Sequence, residues 1–384
     1  MAQQWVRINS LPSTSFIALA KDNNMLYAAE LGNSIFISPD NGATWTPSMP
    51  GADTVQIDCM TLFNHKIYLG SEKNGFFASS DTGRTWSNTS KDILSISSFA
   101  EWRGNLYASI LGEGIVKLNA TNNTWSSFNN QIPGYSVNVF KIINENDTLI
   151  AAAGANGTYY RFNSSTSAWE ENYYHGGHLD AGLQVPDLVY SSGSMLGTNG
   201  GTNLLRTDNG SDWRLDTAGV KKGLGFEAVI NAGVNNFYVA VSSGLGGGSW
   251  IQKKSKTAAA GDRWLDEGDP LTTGFTYGIE ELNSKLYLLR TDGIYFKDMI
   301  TAVHTPDPTD EKISIYPSPS GGRPVNVNSE HIVTEVTVVN LAGVQMFHSI
   351  IQKKQFTLPF LPNGLYIVQL TINKKVSSYK ILNQ

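Results

Sequence analysis

An eight-residue phrase returns about every 40 residues, and short apolar runs are parted by Asn, Gly and Asp turns. The pattern then changes beyond a stretch rich in Pro, Thr and Asp. Together these predict an all-β chain in two parts. The first, at 4–300, is a seven-bladed β-propeller closed by the N-terminal strand. The second, at 313–384, is a small Ig-like β-sandwich. Residues 301–312 (TAVHTPDPTDEK) read as the linker.

The phrase is SPDNGATW at 38–45 and SSDTGRTW at 79–86. It recurs in worn form as RTDNGSDW at 206–213, and more faintly as LNATNNTW at 118–125 and FNSSTSAW at 162–169. A period of this length means that one supersecondary unit is tiled. Residues 16–46 show the unit: FIALA, the turn DNN, MLYAAE, the turn LGNS, IFIS, the phrase, and a fourth strand opened by Trp45. Four short antiparallel strands make one twisted sheet. Such a sheet hides both faces only when copies stack around an axis.

Within the phrase, Asp40 and Asp81 can accept hydrogen bonds from their own turn, and Ser38 and Ser79 can bind the same hairpin. Gly42 and Gly83 are free to take a positive φ. Trp45 and Trp86 are apolar plugs that wedge between neighbouring sheets. In both copies Thr44 and Thr85 precede the Trp. The pattern resembles the Asp-box, or BNR repeat, S-x-D-x-G-x-T-W, and both copies match it at every fixed position. The third copy keeps Asp208, Gly210 and Trp213, with Arg206 in the Ser position. All of these are read as structural.

Trp45, Trp86, Trp125, Trp169, Trp213 and Trp264 stand 41, 39, 44, 44 and 51 residues apart, marking six units. Each follows a second-strand signal: LYAA, IYLG, LYAS, LIAA, SMLG and FYVA. A seventh, LYLL at 286–289, has a third strand but no Trp after it. QQWVRINSLPS at 3–13 supplies the missing strand, with Trp5 in the role of Trp45. This closure removes an exposed edge.

Composition excludes several function classes. Only 16% of residues are charged and the net charge is −5, so no basic surplus exists to neutralise phosphates. No apolar run is long enough to span a bilayer. Cys59, the only cysteine, reads as a small buried hydrophobe on an innermost strand. The sequence calls for no cofactor and no metal.

The second part opens with ISIYPSP, continues as EVTVVNLAGVQMF, and ends in QFTLPFLPNGLYIVQLTINKKVSSYKIL, read as three more short strands. It resembles the type A C-terminal sorting domain of type IX secretion substrates of Bacteroidota. YPSP (316–319) stands for the family's YPNP, NLAG (340–343) for its D-L-x-G turn, and LPNGLY (361–366) for its L-x-x-G-x-Y strand. KKVSSYKIL (374–382) stands for its basic, apolar end. The resemblance implies export, handling by the type IX machinery, and a secreted or outer-membrane surface location in a Gram-negative bacterium.

A function would sit opposite the repeated turns, where blade crossings and the turns between second and third strands lie. The longest crossing is EENYYHGGHLDAGLQVPDLVY at 170–190. Its Tyr173, Tyr174, His175, His178, Asp180 and Asp187 offer rings and polar groups suited to a glycan or a protein. Tyr135, Lys221, Lys222, Glu227, Tyr277 and Glu280 are lesser candidates in other crossings. The Asp-box family includes sialidases, which need an arginine triad, a Tyr nucleophile and an acid Asp. The echo of their F/Y-R-I-P motif, VRIN at 6–9, lacks the Pro and puts Arg7 on an outer strand. Arg84 and Arg103 fall on the opposite face. The expectation is therefore a secreted binding module without catalytic residues, with a glycoside hydrolase acting at the same mouth as the alternative.

Overall fold

The computed structural model describes residues 5–51, 55–90, 95–134, 138–153, 158–173, 188–191, 193–198, 204–208, 213–221, 226–233, 235–243, 248–267, 271–282, 285–299, 313–316, 324–340, 345–362, 364–372 and 375–383. The chain forms two compact units that divide between Lys297 and Asp298.

Among the described residues, the first unit shows seven four-stranded antiparallel sheets. Sheet one is Phe16–Asp22, Met25–Glu30, Ile35–Ser38 and Thr46–Ser48. Sheet two is Ile57–Phe63, Lys66–Ser71, Phe76–Ser79 and Ser87–Ser90. Sheet three is Ile96–Trp102, Asn105–Ile110, Gly114–Asn119 and Thr124–Ser127. Sheet four is Val139–Glu145, Thr148–Ala153, Thr158–Asn163 and Ala168–Tyr173. Sheet five is Leu188–Ser191, Ser194–Thr198, Leu204–Thr207 and Arg214–Leu215. Sheet six is Phe226–Ala232, Asn236–Ser243, Ser249–Ser255 and Leu265–Asp266. Sheet seven is Thr276–Leu282, Lys285–Arg290, Gly293–Asp298 and, from the start of the chain, Val6–Arg7. The N-terminal strand pairs Val6 with Phe296 and Arg7 with Tyr295. First strands of successive sheets pack side by side, and that of sheet seven packs on that of sheet one, so the sheets close a ring.

The second strands explain why their signals read as unbroken apolar runs. In Thr148–Ala153, Leu149 and Ala151 join the core shared with sheet three, whereas Ile150 and Ala152 join the core shared with sheet five. Side chains alternate across a strand, so a strand buried on both faces loses the polar alternation of a half-exposed one.

Four tryptophans of the repeat tie their sheets to the one before, whereas Trp45 bonds Gly42 O of its own turn. The Nε1–H groups of Trp86, Trp125, Trp169 and Trp264 donate to Ser48 Oγ (2.9 Å), Thr89 Oγ1 (3.3 Å), Phe128 O (2.7 Å) and Asp216 O (2.8 Å). Every acceptor is the third residue after the preceding sheet's own Trp, at 45, 86, 125 and 213.

The register corrects one reading of the third phrase. Met195 pairs with Thr207 as Leu26 pairs with Ser38, so Thr207, not Arg206, stands in the Ser position. The turn to Trp213 is one residue shorter than the turn to Trp45, which moves Arg206 back into the strand.

In the second unit five strands form one hydrogen-bonded system: Ile313–Tyr316, Asn326–Asn340, Gln345–Thr357, Gly364–Ile372 and Lys375–Asn383. The long Asn326–Asn340 strand pairs first with Ile313–Tyr316 and then, beyond register breaks near Asn328–Glu335, with Gly364–Ile372. Val327, Val336, Val338, Leu361, Val368 and Leu370 are among its core. Gln355–Thr357 end the third strand rather than beginning a new one, so two strands follow it, not three.

Candidate functional site

In a sheet whose strands alternate in direction, the turns after the first and third strands share one face of the ring. The crossings and the turns after the second strand share the other. The repeated phrase lies on the first of these faces. Ser38 Oγ donates to Asp40 Oδ1 (2.8 Å) and accepts from Gly42 N–H (2.7 Å). Thr44 donates to Asp40 through its N–H (2.8 Å) and its hydroxyl (2.7 Å). The second copy repeats the pattern with Ser79, Asp81, Gly83 and Thr85. Asn41 and Gly42 take φ of 58° and 93°, and Thr82 and Gly83 take 60° and 83°, a left-handed pair that favours glycine second. The Thr44 N–H and hydroxyl, with Ser38, hold the Asp40 carboxyl down at about 2, and the Thr85 and Ser79 groups do the same for Asp81. A carboxylate held ionised by its own turn is suited to closing that turn, not to exchanging protons.

Of the third copy, Asp208 is tied to Arg206, to Arg214 and to Ser194 Oγ, and Trp213 is buried. Gly210 lies outside the described residues.

The opposite face carries a continuous arc. Leu31 N–H donates to Ser15 O (2.7 Å), Ile57 to Gly32 O (2.8 Å), Glu72 to Gln56 O (3.2 Å), Ser95 to Glu72 O (2.8 Å) and Leu111 to Ser95 O (3.0 Å). Thr291 N–H reaches Phe275 O, and Ser15 Oγ reaches Thr291 O, so the arc runs from sheet seven through sheet three. Crossing loops and second-strand turns are thereby stitched into one rim. Leu31, Leu111 and Tyr277 stand exposed on it.

At the inner edge of this rim the first strands of sheets one to four share a β-bulge. The register breaks between Phe16 and Ala18, Ile57 and Cys59, Ile96 and Ser98, and Val139 and Lys141. The inserted residues are Ile17, Asp58, Ser97 and Phe140, all half-buried. Bulges re-aim a side chain without ending the strand. Ser97 Oγ uses the position to bond Val139 O (2.8 Å) on the next sheet. Asp58 accepts only a long bond from Gln56 Nε2 (3.3 Å), and among the described residues no cation pairs with it. Burial, with the Glu72 charge nearby, pushes the Asp58 carboxyl up to about 6. Repeat reasoning missed Asp58 because a bulge inserts a residue that no repeat position predicts; the signal available was an acid in the otherwise apolar QIDCMTLF. Its neighbour Cys59 is a half-buried thiol whose pKa desolvation pushes far up, which disfavours the thiolate a nucleophile needs.

Of the crossing at 170–190, Tyr174, His175, His178, Asp180 and Asp187 lie outside the described residues. Tyr173 ends a strand opposite Thr158. Among the lesser candidates, Tyr277 is 36% exposed on the rim. Lys221 pairs with Asp266 (3.2 Å). Glu280 is half-buried on the first strand of sheet seven. Tyr135 and Lys222 fall outside the described residues, as does the Glu227 side chain. Arg7 is on the outer strand of sheet seven, its guanidinium spent on Asp292 O (3.0 Å) and Leu11 O (3.3 Å). No helix among the described residues is long and apolar enough to cross a membrane.

The tail of the chain, residues 314–384, matches the family described as the secretion system C-terminal sorting domain. A tail of this kind marks a secreted or cell-surface protein. No curated protein matches the chain. YCF48 from Cyanidioschyzon merolae is 12% identical, with a TM-score of 0.59 over 78% of this chain and 98% of its own. An extracellular domain from B. thetaiotaomicron is 11% identical, with a TM-score of 0.60 over 100% of this chain and 59% of its own. PorZ, a surface component of the type-IX secretion system of Porphyromonas gingivalis, is 14% identical, with a TM-score of 0.51 over 97% of this chain and 59% of its own. At such identities the likeness is one of fold alone: the chain contains a β-propeller, followed by a secretion sorting tail.

Proposed function

We propose that the chain is a secreted or cell-surface binding module. Its first part, 4–300, is a seven-bladed propeller of the Asp-box kind. A linker, 301–312, joins it to a type IX sorting sandwich at 313–384. The ligand, an extracellular protein segment or glycan, sits at the mouth opposite the repeated turns. The observation that carries this reading is the stitched rim with exposed Leu31 and Leu111, together with Asp58 on the first strand of sheet two, a half-buried carboxylate that no cation of the described chain neutralises. Leucines and a carboxylate suit a protein segment bearing a basic group better than a sugar face, for which stacked aromatic rings are the usual platform. We assign the crossing with Tyr173, Tyr174, His175, His178, Asp180 and Asp187, which follows sheet four and precedes sheet five in the chain, to the same mouth. YCF48 has been solved bound to D1 peptide, which supports peptide recognition on this fold.

The glycoside hydrolase reading draws on the same Asp58, because a carboxyl near 6 with Glu72 close by is a candidate general acid. One experiment separates the two: the whole chain and its Asp58→Asn variant on a glycan array, a panel of basic and acidic peptides, and a polysaccharide hydrolysis panel. Binding without turnover, weakened by Asp58→Asn and by Leu111→Glu, supports the binder. Turnover abolished by Asp58→Asn replaces it with the enzyme. A ligand indifferent to Asp58→Asn, Leu111→Glu and a Tyr173/Tyr174/His175/His178 alanine set removes the mouth assignment.

A further inference from the structure

Sheet six carries a buried lysine–carboxylate pair on each of its two faces, whereas the ion pairs that link sheets one to two and three to four are exposed. Its third strand carries two consecutive lysines, Lys253 and Lys254, which alternation sends to opposite faces. Lys254 enters the seam with sheet five and pairs with Asp216, each side chain 1% exposed. Its ammonium also donates to Ala260 O (2.7 Å) and stands 5.9 Å from the centre of the Trp264 ring. Lys253 pairs on the other face with Glu267, which also takes Lys297 from the third strand of sheet seven. Asp216 and Glu267 occupy equivalent places, third after Trp213 and Trp264. In sheets one to three that place holds Ser48, Thr89 and Phe128, and the seams there close on apolar and aromatic groups.

Two further features mark this part of the ring. Arg290 of sheet seven, 1% exposed, reaches across to Ser249 Oγ of sheet six (3.3 Å) and to Thr276 Oγ1 (3.2 Å). Asp216 Oδ2 has no hydrogen-bond partner among the described residues, as is also true of Trp5 Nε1 and of Asn74, Asn123 and Glu145 oxygens elsewhere in the ring.

Moving both ions of a pair out of water costs several kcal/mol each, and their attraction repays this only when every remaining lone pair and proton is met. An apolar seam has no such debit. Sheet six keeps an apolar core with sheet five, Leu196, Leu204, Phe237, Val239 and Trp264, but it also carries this debit on both of its seams, which the seams among sheets two to four do not. Local opening starts where cohesion is lowest. We propose that sheet six is the opening element of the ring: its seams with sheets five and seven part first, as one unit, while sheets one to four stay joined.

Hydrogen exchange of the whole chain, followed by mass spectrometry at rising but sub-denaturing urea, tests this. Peptides from Ser249–Ser255, Asn236–Ser243 and Thr276–Leu282 should exchange together and ahead of Lys66–Ser71, Asn105–Ile110 and Thr148–Ala153. The double variant Lys254→Met/Asp216→Leu, which swaps the ion pair for apolar groups, should slow exchange in sheet six about tenfold or more. Glu267→Gln should speed exchange in sheets six and seven and leave sheets two to four unchanged. Uniform exchange around the ring, or earlier exchange of sheets two to four, overturns the proposal. So does a folded double variant whose sheet six exchanges as fast as the parent's.

Discussion

The seam between sheets three and four and the seam between sheets six and seven do the same job with opposite chemistry. The first packs Trp102, Tyr107, Phe128, Phe162 and Trp169 together, with ring centres 4.7 Å apart for Phe128–Phe162 and 5.4 Å for Trp102–Phe162. The second places Glu267 between Lys253 and Lys297. Aromatic burial adds cohesion with every square ångström covered. The lysine–glutamate group is well matched only while all three members are present, and it punishes the loss of one member more than it rewards having all of them. The ring thus has a side that tolerates conservative change and a side that does not.

The largest effects should come from breaking one member of each seam. Glu267→Ala leaves two lysines facing each other and should lower stability by about 3–5 kcal/mol, read from urea unfolding. Trp169→Ala should cost a similar amount, about 3–5 kcal/mol, through the cavity it leaves. The two differ in rescue: Lys297→Met added to Glu267→Leu should restore most of the loss, whereas no single partner change rescues Trp169→Ala. Of the same size, Lys254→Met alone should destabilise by about 3–5 kcal/mol while Lys254→Met/Asp216→Leu falls within about 1 kcal/mol of the parent or above it. A single variant as stable as the parent would show that Asp216 is not charged in the seam.

Smaller effects concern pH, and here the aspartates of the two faces move in opposite directions. Asp40 and Asp81 have folded values near 2, below the ordinary carboxylate range, so their contribution is present above pH about 4 and is lost as pH falls towards 2. Asp40→Asn should flatten that acid limb in a thermal melt series and lower the midpoint at pH 7 by less than Glu267→Ala does. Asp58 is raised to about 6, so its contribution is present below pH about 4 and is lost as pH rises through 6. Asp58→Asn should therefore raise the melting midpoint at pH 8 and leave it nearly unchanged at pH 3. The same midpoint shift at both pH values would mean that the bulge does not desolvate the carboxyl.

What the sequence disclosed tracks how local the cause is. The repeated turn was legible in full because Ser38, Asp40, Gly42 and Thr44 bond within one turn, so their spacing is the structure. The two-residue pairing of Val6 and Arg7 was legible from the repeat, since a unit that lacks its last strand asks where that strand is. The ion pairs were not. IQKKSK reads as a solvated lysine run until the register sends Lys253 and Lys254 to opposite faces, and their acids lie 14 and 38 residues away in sequence. Asp58 was hidden for a different reason: its burial comes from a bulge, an irregularity in pairing, and periodic patterns carry no trace of it. Arg206 was misplaced because a turn shortened by one residue keeps the same letters while shifting the frame.

The short N-terminal strand has a practical corollary. Sheet seven takes three strands from 276–298 and its fourth from Val6–Arg7, so every hydrogen bond that closes the ring is in place by Asp298. The second unit likewise draws its strands wholly from Ile313 onward. A cut between Asp298 and Ile313 would therefore leave every described strand of both units with its partners.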